Sequence, residues 1–143
     1  MTFRSRTELA ALALALTLAV NTVMADVVAV VSSTSAIISL SNAQVTDIFL
    51  GKVNRFPNGS LAVPIDQIEG SPARDEFYAT YAGKSAAQVK SLWAKIIFTG
   101  RGQPPKAVSN SNEVRKLLAT NPQAIGYVER SSVDSTVKIL TQP

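Results

Sequence analysis

Apolar and polar positions along this chain follow two different periods. Val27–Val31 is an unbroken run of apolar, mostly β-branched residues, which is the pattern of a strand buried on both faces. We therefore predict that this segment lies centrally in a sheet. Similar short runs predict four further strands, at Leu61–Ile65, Lys106–Val108, Ala124–Val128 and Val137–Leu140.

The second period is helical. Ser85 and Gln88 have the spacing of a capping box, and apolar residues then recur at i, i+3, i+4, i+7 and i+8 from Val89 to Ile97. The same kinds of signal predict helices that start at Ser41, Ser71, Ser85 and Asn110. The first, second and fourth stop at Gly51, Gly83 and Asn121, and the third is followed by a flexible loop over Phe98–Pro105. Because strands and helices alternate, we predict an α/β fold, a three-layer sandwich with a mostly parallel sheet.

The first residues read as an export signal. Arg4 and Arg6 precede the apolar run Leu9–Val20, and small residues end the segment at Ala25. A retained membrane anchor needs about 20 apolar residues, and this run is shorter. We predict a signal peptide over residues 1–25, cleavage after Ala25, and one domain over residues 26–143. The chain contains no cysteine, so it is expected to be a soluble periplasmic protein and not a lipoprotein.

The composition argues against several classes of function. The net charge is +4, and the basic residues are scattered singly without forming a stripe, so we expect no nucleic-acid partner. Histidine is absent, which removes the usual general base at neutral pH, the base that would activate a serine nucleophile, and the commonest metal ligand. We therefore expect no enzyme, no metal and no cofactor.

The best candidate site is the segment before the second predicted helix. Ser71 suits a helix N-cap and Pro72 suits the first helical position, so unpaired backbone N–H groups should face an anion there. The predicted oxyanion ligands are Gly70, Ser71, Ala73 and Arg74. The alternative is that Arg74 pairs with a surface carboxylate, either Glu69, Asp75 or Asp66.

Two weaker candidates accompany this site. Ser32, Ser33 and Thr34 follow the first strand, at the edge where open α/β sheets usually bind ligands. An ordinary polar turn explains these three residues equally well. Trp93 and Tyr81 could stack on a carbohydrate, although their helical spacing favours core packing.

Several segments together resemble the phosphate-type periplasmic solute-binding proteins that feed ABC transporters. The matching segments are Leu40–Lys52, Glu69–Ser71 with Arg74 and Phe77, Trp93, Phe98–Gly100, and Ala124–Val128. The resemblance implies the fold of one lobe of a type II periplasmic binding protein. It also implies binding of phosphate or a similar oxyanion, linked to phosphate uptake or sensing.

The sequence departs from the family pattern in the anion loop. The family has an arginine four residues before the serine and Gly-Thr after it, where this chain has Gln67, Pro72 and Ala73. The resemblance also covers only one of the two lobes that close around the anion. We therefore expect weak binding or a second chain that completes the cleft, either another copy or a membrane sensor or transporter component. The alternative function is a ligand-free interaction or scaffold module of the cell envelope.

Overall fold

The computed structural model describes residues 26–143, so the predicted signal peptide lies outside the described residues. A five-stranded sheet of order β3-β2-β4-β1-β5 forms the middle layer. Its strands are β1 (Val27–Ser32), β2 (Val63–Gln67), β3 (Lys106–Val108), β4 (Ala124–Glu129) and β5 (Val137–Ile139). The predicted α/β fold is confirmed.

The direction of β1 determines which strand ends lie together at each edge of the sheet. β2 runs parallel to β3 and β4, whereas β1 runs antiparallel to both of its neighbours, β4 and β5. Four strands therefore point one way, and β1, which lies between β4 and the end strand β5, points the other. As a consequence, the carboxyl end of β1 lies at the edge where the other four strands begin.

Both faces of the sheet are covered. The helices are α1 (Asn42–Phe49), α2 (Pro72–Phe77), α3 (Ala86–Phe98) and α4 (Ser111–Thr120), with a π-helical turn, Tyr78–Ala82, directly after α2. Alternate residues of β1 enter two separate apolar clusters: Val27, Ala29 and Val31 enter one, and Val28 and Val30 the other. This division explains why β1 is apolar without interruption.

The helix boundaries follow the capping signals closely. Ser41 and Ser85 both form complete capping boxes, with Gln44 and Gln88 respectively. The helix that starts after Ser71 also ends at Gly83 as predicted, in the left-handed conformation, although its second half is π-helical. No helix within residues 26–143 is long and apolar enough to cross a membrane.

The second strand is displaced from its predicted position. It covers Val63–Gln67 instead of Leu61–Ile65 and therefore ends on two polar residues, Asp66 and Gln67. Each of these residues is only 2% exposed. Their burial brings polar side chains into the centre of the molecule, directly below the candidate anion loop.

Candidate functional site

A cleft lies at the carboxyl edge of the sheet, where β2, β3 and β4 end. We call it the edge cleft; it has a volume of about 560 Å³ and is lined by Gln67–Pro72, Ser109–Asn112, Glu129 and Ser132. The first residues of both α2 and α4 line it. Two helix N-termini, each the positive end of a helix dipole, thus open on one space.

The side chain of Gln67 ties these two helix starts together. Its Oε1 accepts a hydrogen bond from the Ser71 hydroxyl at 3.0 Å. Its Nε2 donates to the backbone carbonyl of Tyr127 at 3.1 Å and, at 3.4 Å, to the hydroxyl of Ser111 in α4. Gln67 stands where the resembled family has an arginine, and in this chain the position is buried and fully hydrogen-bonded. The Gln67 side chain therefore holds the starts of α2 and α4 in position and adds no charge to the edge cleft.

Ser71 has the predicted role of helix cap. Its Oγ accepts a long hydrogen bond, 3.4 Å, from the backbone N–H of Arg74, and its hydroxyl proton goes to Gln67. Gly70 precedes it with φ +88°, a left-handed conformation that glycine adopts without strain. That turn closes through the hydrogen bond from the Ser71 N–H to the Ile68 carbonyl. Gly70 and Ser71 both line the edge cleft.

Arg74 does not line the edge cleft. Its Nη1 donates to the Gln67 carbonyl at 2.9 Å and lies 3.6 Å from the Asp66 carboxylate. The guanidinium also lies over the ring of Tyr78, 5.5 Å from its centroid. Of the three carboxylates considered as ion-pair partners, the structure selects Asp66, and the pair is largely buried instead of lying on the surface.

Two tyrosines complete the surroundings of the Asp66 carboxylate. The hydroxyl of Tyr78 donates to Asp66 Oδ2 at 2.6 Å, and the hydroxyl of Tyr127 donates to Oδ1. Burial, together with the negative charge of Asp66, raises the pKa of both tyrosines well above the usual value. Both therefore stay protonated and act as hydrogen-bond donors. This Asp66 network is a structural support for the segment from Gln67 to Arg74.

The remaining predicted ligands do not line the edge cleft. Ala73, predicted to bind through its backbone N–H, lies in the first turn of α2 with its side chain buried in the apolar cluster. Ser32, Ser33 and Thr34 lie at the opposite edge of the sheet from Ser71, because β1 runs against its neighbours. There the Ser32 hydroxyl bonds to both the side chain and the backbone N–H of Thr34. The structure thus brings together Gly70 and Ser71 and separates them from Ser32–Thr34.

The residues that sequence reasoning did not identify are the ones that shape the edge cleft from below and from α4. They are Tyr78, Tyr127 and Ser111, together with Asp66, which the sequence suggested only as an ion-pair partner of Arg74. Ser111 carries no motif, and the two tyrosines sit in patterns typical of core residues. Gln67 was singled out through the resemblance.

The charge of the edge cleft is acidic. Among the described residues, no lysine or arginine lines it, whereas Glu69 and Glu129 do. Glu69 is partly compensated by Lys90, at 3.6 Å on the exposed surface. No group of His, Cys, Asp or Glu suited to a metal ion occurs within residues 26–143. The site can therefore offer backbone N–H groups, hydroxyls and two carboxylate acceptors.

Trp93 and Tyr81, the carbohydrate-stacking candidates, belong to the protein interior. Trp93 is buried in the cluster that α3 forms with the sheet, and Tyr81 packs partly buried against the same cluster. The ring of Tyr81 lies 4.8 Å from that of Phe77. Both residues therefore pack in the core, as their helical spacing favoured.

Comparison with known proteins gives a fold without a family. No protein-family model matches the chain. No curated protein matches it either. The similarity that exists is to solved structures, and at 14–20% sequence identity it concerns the fold alone.

Three of these solved structures each cover 82% of this chain. A putative phosphate ABC transporter substrate-binding protein with bound phosphate from Clostridium perfringens is 20% identical with a TM-score of 0.66, covering 82% of this chain and 44% of that chain. An ABC-type phosphate transport receptor from Vibrio cholerae is 18% identical with a TM-score of 0.64, covering 82% and 46%. PstS from Borrelia burgdorferi is 14% identical with a TM-score of 0.58, covering 82% and 47%.

The chain spans less than half the length of these solved proteins. Its fold is that of one lobe of a type II periplasmic binding protein, as the resemblance implied. The activity of the longer proteins belongs to their whole length.

Proposed function

We propose that this chain binds hydrogen phosphate, or a similar protonated oxyanion, in the edge cleft and releases it unchanged. The observation that carries the proposal is the opening of two helix N-termini, those of α2 and α4, on one cleft. Backbone N–H groups at helix starts favour oxyanions. The fold shared with a phosphate-bound solved structure supports the same ligand class.

The acidic lining favours an anion that carries a proton. Glu69 and Glu129 repel a fully ionised oxyanion, but each can accept a hydrogen bond from a P–OH group. Hydrogen phosphate has such a proton at neutral pH, whereas sulfate has none. We therefore propose that the edge cleft prefers phosphate to sulfate.

The expected affinity is low. Arg74 is the cation nearest in sequence to Ser71, but it is already paired with Asp66 and does not line the edge cleft. The cleft is also open to water, which weakens each charge-assisted hydrogen bond. A dissociation constant in the high-micromolar to millimolar range corresponds to about 4 to 6 kcal/mol. A second copy, a membrane sensor or a transporter component that covers the cleft would raise the affinity.

The proposed setting is the periplasm, after removal of residues 1–25. There the protein would deliver or report phosphate for uptake or sensing and perform no chemistry. The solved proteins of similar fold are described as substrate-binding or receptor proteins, which supports a non-enzymatic role.

Titration calorimetry on residues 26–143, dialysed free of phosphate, tests the proposal. We expect saturable heat with phosphate and little with sulfate. The double variant Glu69→Gln/Glu129→Gln should reduce this preference, because neutral amides no longer repel sulfate. Asp75→Asn is the matched control, since Asp75 is exposed on α2 and does not line the edge cleft. Equal binding of both anions by the unaltered protein would contradict the proposed selectivity.

A second candidate is a ligand-free interaction module of the cell envelope. The Arg74–Asp66 pair favours it, because the one arginine of the anion loop serves the interior instead of a ligand. Absence of heat with either anion at millimolar concentration would make this the leading function. Cross-linking in the periplasm would then identify the partner.

A further inference from the structure

A second concavity lies at the opposite edge of the sheet, where β2 and β3 begin. We call it the Trp93 hollow; it has a volume of about 460 Å³, and its defining residues are Gly51, Val53, Leu61, Trp93, Arg101 and Lys106. It is bounded by the end of α1, by α3 and by the loop between α3 and β3. Its size falls within the range of small-molecule sites, about 300 to 1,000 Å³.

The walls of the hollow are largely apolar. Val53 and Leu61 are 44% and 41% exposed, so both present apolar surface to the hollow. The indole of Trp93 lies against Gly51, where an added Cβ would come within 2.9 Å of the ring. Gly51 also has φ +73°, so a side chain is disfavoured there on both grounds. The absence of a side chain at Gly51 therefore leaves room for the Trp93 ring beside the hollow.

The charges on the hollow have one sign. Arg101 and Lys106 line it, both side chains are exposed, and neither forms a salt bridge within residues 26–143. No aspartate or glutamate of the described chain lines the hollow. An apolar surface beside two unpaired cations is complementary to a molecule with an apolar body and an anionic head.

We propose that the Trp93 hollow binds a small amphipathic carboxylate, with its alkyl or aryl body against Trp93, Val53 and Leu61 and its carboxylate between Arg101 and Lys106. A second copy of this chain is a poorer occupant. A symmetric contact through the hollow would bring the cations of the two copies together, without an acidic residue in the lining to compensate them.

The proposed ligand site is independent of the proposed phosphate site. The edge cleft lies where β2 and β3 end, and the Trp93 hollow lies where they begin. Phosphate should therefore not compete with a carboxylate for the hollow. Failure of one proposal leaves the other standing.

Trp93 is the single tryptophan of the chain, so its fluorescence reports on the hollow directly. We expect decanoate, titrated below its micellar concentration, to change the emission saturably, with no effect of added phosphate. The double variant Arg101→Ala/Lys106→Ala should weaken decanoate binding about five- to tenfold, as expected for loss of exposed charge pairs. Decanol, which lacks the charge, should bind both proteins equally.

A pair of matched variants locates the site. Leu61→Glu adds a negative charge at the hollow and should abolish the decanoate response. Ile38→Glu makes the same kind of change at another exposed apolar residue, 70% exposed, that does not line the hollow. Circular dichroism checks that both variants fold. Equal decanoate affinity of the two variants would overturn the proposal, as would emission that changes only with protein concentration, which would indicate self-association.

Discussion

Arg74 shows how a single buried partner decides the role of a charged side chain. Its guanidinium is needed by Asp66, whose carboxylate is only 3% exposed. Arg74→Ala leaves that carboxylate buried with two tyrosine hydroxyls and no counter-charge. We expect a loss of about 3 to 5 kcal/mol in the free energy of unfolding, measured by urea denaturation. Phosphate affinity of the folded variant should be unchanged.

Lys90→Ala is the matched control for this change. Lys90 pairs with Glu69 on the surface, where both side chains are more than half exposed. Exposed pairs of this kind contribute little to stability. If Arg74→Ala is as harmless as Lys90→Ala and abolishes phosphate binding, Arg74 is an anion ligand and the role described for it here is wrong.

The two tyrosines on Asp66 predict how stability depends on pH. Their pKa values are raised in the folded protein, by burial and then by the Asp66 charge, while in the unfolded chain they ionise near pH 10. Above that pH the folded state holds more protons than the unfolded state, so stability falls as pH rises. The slope should reach about 1.4 kcal/mol per pH unit for each tyrosine. Urea denaturation between pH 9 and about 11 measures it.

Tyr127→Phe separates this effect from general alkaline weakening. The variant has a lower stability at neutral pH, because Asp66 loses a donor. Its stability should nevertheless decline less steeply above pH 10, since one of the two shifted groups is gone. An unchanged slope would mean that these hydroxyls do not govern the alkaline limit.

At the scale of elements, Gly126 fixes the approach of α4 to β4. A Cβ added at Gly126 would lie 2.5 Å from Cγ1 of Val114, a buried residue of α4. Gly126→Ala should therefore destabilise the protein by about 1 to 3 kcal/mol through overpacking. Thermal unfolding of residues 26–143 provides the measurement.

Val114→Ala tests the stated cause. If the clash with Val114 is responsible, the double variant Gly126→Ala/Val114→Ala should cost less than the sum of the two single changes. Additive costs would show that the alanine at position 126 acts on the strand itself.

Most elements could be predicted because their signals are local. The capping boxes at Ser41 and Ser85 and the apolar run of β1 depend on neighbours in sequence, and the structure confirms all three. The direction of β1 depends on which strands lie beside it. The residues of Val27–Val31 do not indicate whether β1 runs parallel or antiparallel to its neighbours. The position of Ser32–Thr34 relative to Ser71 therefore could not be predicted.

The predicted end of β2 was wrong for a related reason. Asp66 and Gln67 are polar and were left outside the strand, yet tyrosine hydroxyls and carbonyls from distant segments satisfy them. Burial of a polar side chain depends on such partners. The sequence therefore predicted the Ser71 helix cap, while the support beneath it needed the fold.

At the scale of the whole molecule, the two edges of the sheet carry different surfaces. One edge has the edge cleft, with helix N-termini and carboxylates, and the other has the apolar Trp93 hollow with its two cations. The resemblance to solute-binding proteins concerned the first. The second combines residues from α1, β2, α3 and the loop after it, which no single segment of the sequence reveals.

Stability should be distributed unevenly across this architecture. β1 is buried along its whole length between two apolar clusters, whereas α3 buries only Val89 and Trp93 among its 13 residues. Local opening of α3 therefore requires less free energy than opening of the central strands.

Native-state hydrogen exchange measures this difference directly. We expect amides of α3 to exchange through local opening, well before those of β1 and β4, which should exchange only on global unfolding. Because α3 forms one side of the Trp93 hollow, decanoate should slow exchange in α3 and leave the central strands unchanged. Equal protection of α3 and β1 without ligand would show instead that the helix is an integral part of the core, and that the hollow is a rigid feature of the fold.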